Sequence, residues 1–286
     1  MADTIGLKTR SGLTFTTDVA GPTVGPLVLL LHGFPESRHS WHAALPELAA
    51  AGYRAIAPDQ RGYSPGARPD PADLSNYAFN RLVADAIEIA EAAGHGDGRF
   101  HLVGHDWGGQ VSWGVAGKHP ERLASLTILS RPHPSSFRRA LLKEDGDQEH
   151  RSRHHGKFLE PETGRLLIED NARRLREGLF GQDVGKAAIE DHVAILGNPA
   201  AIEAALAWYR ANKGLAAEIG VIKVPTLYIW GDMDATVGPD AAYGTGEFVS
   251  SGFAMDVLPN VGHFVMDQAP AKATELMLAH IKKHPV

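Results

Sequence analysis

Four short apolar runs constrain this chain more than any other feature: Pro26–Gly33 (PLVLLLHG), Gly52–Asp59 (GYRAIAPD), Arg99–Asp106 (RFHLVGHD) and Leu123–Ser130 (LASLTILS). They are continuous rather than alternating. A strand with one wet face alternates apolar and polar residues. A continuous run needs both faces covered, as in a parallel sheet packed between helices. The segments between the runs read as helices, at about Trp41–Ala51, Asn76–Ala93 and Trp107–His119, the last closed by Pro120. Strands that alternate with helices argue for a parallel sheet with crossover connections.

The pattern stops after Ser130. From Arg131 to about Leu215 the chain reads as helical, polar and irregular, with no convincing strand. Its acidic and basic residues nearly cancel, which speaks against a site built for strongly anionic substrates. Strand signals resume in Val221–Asp232 (VIKVPTLYIWGD) and Phe253–Asn260 (FAMDVLPN), and a final helix covers about Ala271–Lys283. The expected organisation is an α/β core from residues 1–130 and 216–286, interrupted by a helical cap at 131–215. An insertion at the carboxyl edge of such a sheet sits over the ligand crevice.

Composition narrows the partners. The net charge of −6 argues against nucleic acid and anionic membrane. The absence of cysteine excludes disulfides, thiolate metal sites and a cysteine nucleophile. The first residues, MADTIGLKTRSGLTF, hold no apolar signal core, and no apolar run approaches the roughly 18 residues of a membrane span. The expectation is a cytoplasmic protein without a membrane partner; a homodimer stays open.

Gly104–Gly108 (GHDWG) follows one of the apolar runs and opens a helix. The spacing is that of a nucleophile elbow, a tight strand–helix turn that exposes its central residue. That residue is Asp106, where many enzymes place serine. The plainer reading is a tight turn with Asp106 as helix cap. Two later segments favour the nucleophile. YIWGDMDATVGP places Asp232 and Asp234 just past a strand end, and LPNVGHFVMD places His263 past the next one. A histidine base needs a carboxylate to fix its tautomer. Asp234 is the first choice for that partner and Asp232 the runner-up, which could instead brace the loop.

The sequence resembles the epoxide hydrolases of the α/β-hydrolase fold. The resemblance rests on LLLHGFPESRHSW, PDQRGYS, GHDWGG, RPHP, AWYRAN, WGDMD and VGHF, which occur in the family's order across nearly the whole chain. It implies a mostly parallel central sheet flanked by helices, a helical lid, no cofactor and no metal. A small apolar epoxide and water are the implied partners. An aspartate, with an ordinary pKa of about 3.9, is already ionised at neutral pH and can attack an electrophilic carbon directly. By the resemblance Asp106 is the nucleophile, His263 the base that activates water and Asp234 its partner. The backbone N–H groups of Phe34 and Trp107 are the implied oxyanion donors.

Two electrophiles suit an aspartate, an epoxide or a haloalkane. Haloalkane dehalogenases of the fold often carry a halide-binding asparagine where this chain has Phe34. Haloacid-type relatives tend to carry arginine where it has Trp107. The epoxide is therefore the first reading, and a haloalkane or haloacid dehalogenase is the alternative. The segment NPAAIEAALAWYRANKG reads as a helix capped by Asn198 and ending at Gly214, with Ile202, Leu206 and Tyr209 on one face. Tyr209 matches the family's ring-opening tyrosine. The second donor position falls on His154 in RSRHHGKFLEP, with His155 adjacent as the other candidate. A neutral imidazole still donates one N–H. Trp41, Trp107, Phe34 and His155 are expected to line the substrate pocket.

Overall fold

The computed structural model describes residues 2–213 and 219–286. An eight-stranded sheet runs through the molecule in the order β1-β2-β4-β3-β5-β6-β7-β8. The strands are β1 (Asp3–Lys8), β2 (Thr14–Ala20), β3 (Leu27–Leu31), β4 (Arg54–Pro58), β5 (Phe100–His105), β6 (Leu123–Leu129), β7 (Thr226–Gly231) and β8 (Phe253–Leu258). Pairings from β4 to β8 are parallel; β1 with β2 and β2 with β4 are antiparallel. Every residue of β3, β5, β6 and β7 is buried, as their uninterrupted apolar runs require. The β1–β2 hairpin and β8 lie at the sheet edges and are more polar. The sequence reading assigned no strand to the hairpin, because its apolar residues are too sparse to form a run.

Helices cover both faces. On one, α1 (Ala44–Ala50) and the C-terminal helix Pro270–Lys283 bury Leu45, Leu48, Met277 and Ile281 against Val28, Leu30 and Ile229. On the other, α2 (Phe79–Ala90) and α3 (Trp107–Lys118) pack on the alternate residues Leu29, Leu31 and Leu102. The predicted helix at Trp41–Ala51 is split: a 3-10 turn holds Arg38–Trp41 and α1 starts at Ala44.

Between β6 and β7 come α4 (Pro134–Leu141), α5 (Gln148–Arg151), α6 (His154–Phe158), α7 (Thr163–Arg173, broken at Glu169–Ala172), α8 (Lys186–Leu196) and α9 (Pro199–Ala211). No strand interrupts them among the described residues. Asn198 caps α9, its Oδ1 accepting from the Ala201 N–H at 3.0 Å, and Ile202, Leu206 and Tyr209 are all buried. The helix end expected at Gly214 and the segment boundary at 215/216 lie outside the described residues. Trp208 anchors α9 to the core by donating its indole N–H to the Arg61 carbonyl at 2.9 Å. Arg61 in turn holds Asp85 of α2 through two 2.6 Å bonds. No helix among the described residues is long and apolar enough to cross a membrane.

The start of α3 approaches β3 as closely as a backbone can. A Cβ on Gly108 would lie 2.1 Å from the Leu31 carbonyl oxygen. Gly108→Ala is expected to lower stability by about 3 kcal/mol, read as a fall in the urea midpoint at unchanged slope. An unchanged midpoint would contradict this packing.

Candidate active site

β5 ends at His105 and α3 begins at Trp107, so Asp106 occupies the turn between them, at φ 48° and ψ −115°. This is an unfavourable conformation for a residue with a side chain, and it persists only where the surroundings impose it. The Asp106 N–H donates to the Leu129 carbonyl at 3.3 Å, and its own carbonyl accepts from the Gln110 N–H at 2.8 Å. The Phe34 N–H donates to Asp106 Oδ1 at 3.0 Å. That approach requires Gly33, where a Cβ would lie 2.5 Å from the Cβ of Asp106. Trp107 makes no corresponding N–H contact with this carboxylate.

The loops after β7 and β8 bring Asp234 and His263 to the same place. His263 Nδ1 lies 3.0 Å from Asp234 Oδ2, and its Nε2 lies 3.6 Å from Asp106 Oδ2. Thr236 completes the arrangement. Its hydroxyl donates to Asp234 Oδ1 at 2.8 Å, and the same oxygen lies 2.8 Å from His263 Nδ1. The N–H groups of Thr236 and Val237 also donate to Asp234. Asp232 instead accepts from the Asn260 N–H at 2.7 Å on the surface and ties the two loops together.

Burial pushes the Asp106 carboxyl upward, but His263, His105 and the Phe34 N–H outweigh it and hold the group well below the usual carboxylate range. Burial pushes His263 downward, yet the carboxylates of Asp234 and Asp106 raise it well above an ordinary histidine. Asp234 stays ionised against burial through His263 and Thr236. The two carboxylates thus favour the protonated imidazole at His263.

A second buried pair supports this one. The His105 ring points away from Asp106. Its Nε2 donates to the His263 carbonyl at 2.8 Å, and its Nδ1 lies 2.6 Å from Glu36 Oε2. Donation from both nitrogens makes His105 an imidazolium, in keeping with the rise that Glu36 produces against burial. Glu36 also accepts from the Gly33 N–H at 3.3 Å and so steadies the turn that presents Phe34. His32 braces the same turn, donating from Nδ1 to the Gly33 carbonyl at 2.9 Å. Sequence reasoning missed Thr236 and Glu36. Glu36 stood in HGFPES and Thr236 two residues beyond Asp234, but neither position declares its partner.

A cavity of about 300 Å³ opens onto Asp106, with Trp107, Phe137, His155, Leu159 and Tyr209 in its wall. Trp107 and Tyr209 pack edge to face, 5.1 Å between ring centres. Phe34, expected to line the pocket, is not in the wall of this cavity; its ring packs on Tyr209 and Phe158 at 5.6 and 5.2 Å. Burial and the Asp106 charge keep the Tyr209 phenol well above its ordinary pKa, so it remains protonated.

The histidine pair divides. His155 lines the cavity, whereas His154 Nδ1 donates to the Arg151 carbonyl at 3.0 Å. Burial lowers both rings, His155 to about 3, so both are neutral at pH 7. With its Nδ1 proton so engaged, neutral His154 has no second proton to donate. Trp41 does not line the pocket, which corrects the sequence reading. It is fully buried on the opposite face of the sheet, among Ala44, Leu45 and Leu48. An indole next to an apolar helix start packs there rather than at the crevice.

Comparison with known proteins agrees with this architecture. The alpha/beta hydrolase fold family matches residues 26–270. Epoxide hydrolase 4 of Mus musculus is 31% identical over 284 residues, covering 96% of this chain and 77% of its own. Among solved structures, an epoxide hydrolase from metagenomes of hot environments superposes with a TM-score of 0.85 at 27% identity, over 98% of each chain. Epoxide hydrolase A from Mycobacterium thermoresistibile does so at 0.84 and 25% identity, over 100% of each.

Proposed function

The chain belongs to the epoxide hydrolases of the alpha/beta hydrolase fold, and from that premise we propose that it opens an epoxide to a vicinal diol through a covalent ester on Asp106. The observation that carries the proposal is an ionised Asp106 at the base of a cavity, with His263 Nε2 3.6 Å from one of its oxygens and Tyr209 in the cavity wall.

In the first step Asp106 Oδ2 attacks one epoxide carbon. The carbon–oxygen ring bond breaks, and the departing oxygen takes a proton from Tyr209. The second hydrogen bond to that oxygen comes from the histidine pair. His155 is the better placed of the two, because it lines the cavity and its ring nitrogens have no protein partner among the described residues. Esterification removes the Asp106 charge that helped hold the proton on His263. Its proton passes through water to the Tyr209 phenolate, and the neutral imidazole is then available as a base, oriented by Asp234 and Thr236. His263 takes a proton from water, whose oxygen attacks the ester carbonyl. The negative charge gathers on Oδ1, beside the Phe34 N–H, with Trp107 N–H as the second candidate donor. The ester carbon–oxygen bond breaks, the diol oxygen takes the proton that His263 gained from water, the new Asp106 carboxyl returns its remaining proton to His263, and Asp106 retains an oxygen from water.

Single turnover in heavy-oxygen water tests this. Label is expected in Asp106 and not in the first diol released. Label confined to the diol would mean direct attack of water on the epoxide. Halide release from chloroalkanes or haloacetates, with no turnover of styrene oxide or cyclohexene oxide, would favour the dehalogenase reading instead.

Because both lid histidines are neutral at pH 7, a histidine there donates as imidazole and not as imidazolium. No fall in kcat/KM assignable to the lid is expected between about pH 6 and 7.5, where an ordinary histidine loses its proton. His154→Tyr should leave the profile in that window in place. A limb that moves with the substitution would show that His154 works in its charged form.

A further inference from the structure

The cavity holds a cation that the proposed reaction does not use. Ser130, at φ 54°, turns the chain out of β6, and Arg131 follows in the cavity wall. Its Nε donates to Gln110 Oε1 at 3.0 Å, and its guanidinium carbon lies 4.5 Å from the centre of the Phe137 ring. Its two Nη groups meet no protein acceptor, and no carboxylate lies within ion-pair distance, among the described residues. A half-buried guanidinium without a counter-ion is unfavourable, and the ring beneath it offsets only part of that cost. Gln110, buried beside it, has its oxygen committed to Arg131 and its Nε2 left without an acceptor. Two further cations, Arg138 and Lys213, are exposed at the mouth. The ionised groups of the wall are thus three cations and Asp106.

The near-neutral balance of residues 131–215 hides this sorting. Arg165 pairs with Glu162 and Glu169, Arg210 with Glu203 and Arg151 with Asp147, all away from the cavity. Among the described residues, the acids of the segment pair with several of its surface arginines and leave Arg131, Arg138 and Lys213 at the cavity without an ion pair.

We propose that Arg131, braced by Gln110, anchors a carboxylate on the substrate, so that the protein takes short epoxy acids. This rests on the epoxide-opening reading above and replaces its apolar substrate with one apolar in body and anionic at one end. A planar guanidinium with two open N–H groups matches a carboxylate bidentately. Asp106, Gln110 and Arg131 line the same cavity of about 300 Å³, so a substrate that reaches from one to the other is short. The reactive carbon therefore lies only a few bonds from the acid group. Arg138 and Lys213 draw the anion to the mouth.

The test compares 3,4-epoxybutanoate with its uncharged amide, and measures butanoate binding separately by quenching of tryptophan fluorescence. The acid is expected to have a kcat/KM at least about tenfold above the amide, the usual worth of a charge-assisted contact. Arg131→Gln should reduce that ratio by about the same factor and weaken butanoate binding in parallel, with Arg131→Lys intermediate. Equal turnover of acid and amide by the wild-type protein would overturn the proposal. So would butanoate binding that is absent or indifferent to Arg131→Gln in a variant with unchanged circular dichroism. If no epoxide turns over while butanoate binding still depends on Arg131, the carboxylate site stands and the epoxide reading fails.

Discussion

Replacing Asp106 with alanine is expected to end turnover, lowering kcat by about 10⁴-fold or more in a variant whose circular dichroism stays that of the folded protein. On the proposed mechanism the residue supplies the electrons of the first step, and no other carboxylate lines the cavity among the described residues. The fold is expected to survive because the turn is held by its own backbone bonds to Leu129 and Gln110, which alanine keeps. Residual turnover above about one per cent of wild type would mean that water attacks the epoxide directly.

The second large effect concerns His263. His263→Gln is expected to separate the two chemical steps. Ester formation needs Asp106 and the lid donors, whereas ester hydrolysis needs the imidazole. The variant should therefore react once with substrate and stall. Intact-protein mass spectrometry would then show a stoichiometric adduct with the mass of the epoxide, and steady-state kcat should fall by about 10³-fold or more. A variant that loses turnover without accumulating an adduct would place His263 in the first step as well.

The electrostatics carry a sign that can be checked. His263 has its folded-state pKa raised, chiefly by Asp234 and Asp106 acting against burial. Its stabilising contribution is complete below the unfolded value of about 6.5 and is lost as pH rises through the folded value. Asp106 and Asp234 have lowered values, so theirs is present above about 3.9 and lost on acidification. The trio therefore stabilises the fold most between about pH 4 and 6.5, and less as the pH rises beyond that.

How far the sequence discloses this arrangement depends on how local each signal is. The buried strands were legible because burial on both faces leaves an apolar run with no polar interruption. The edge hairpin was not, because residues such as Thr14 and Thr16 satisfy a half-wet strand without spelling one. Asp106, Asp234 and His263 could be read because each stands just past a strand end in a set chain order. The Glu36–His105 pair could not. Its members are 69 positions apart, and nothing near either announces the other. The lid divides the same way. The Asn198 cap and the stripe through Tyr209 are local. The choice between His154 and His155 turns on which ring the Arg151 carbonyl occupies, a tertiary matter. Charge counting along residues 131–215 failed for Arg131 because a sum says nothing of which charges are paired.

The carboxylate, its base and the acid behind that base all ride on loops of the sheet, while Tyr209 and the histidine pair ride on the helices between β6 and β7. On the proposed mechanism, ester breakdown and ring opening therefore draw on different parts of the fold. Exchange of the helical segment with a relative's, keeping the Trp208–Arg61 tether, could change which electrophile is loaded without rebuilding what unloads it. The leaving group could in this way be changed by altering the lid, with the hydrolytic half left intact beneath it.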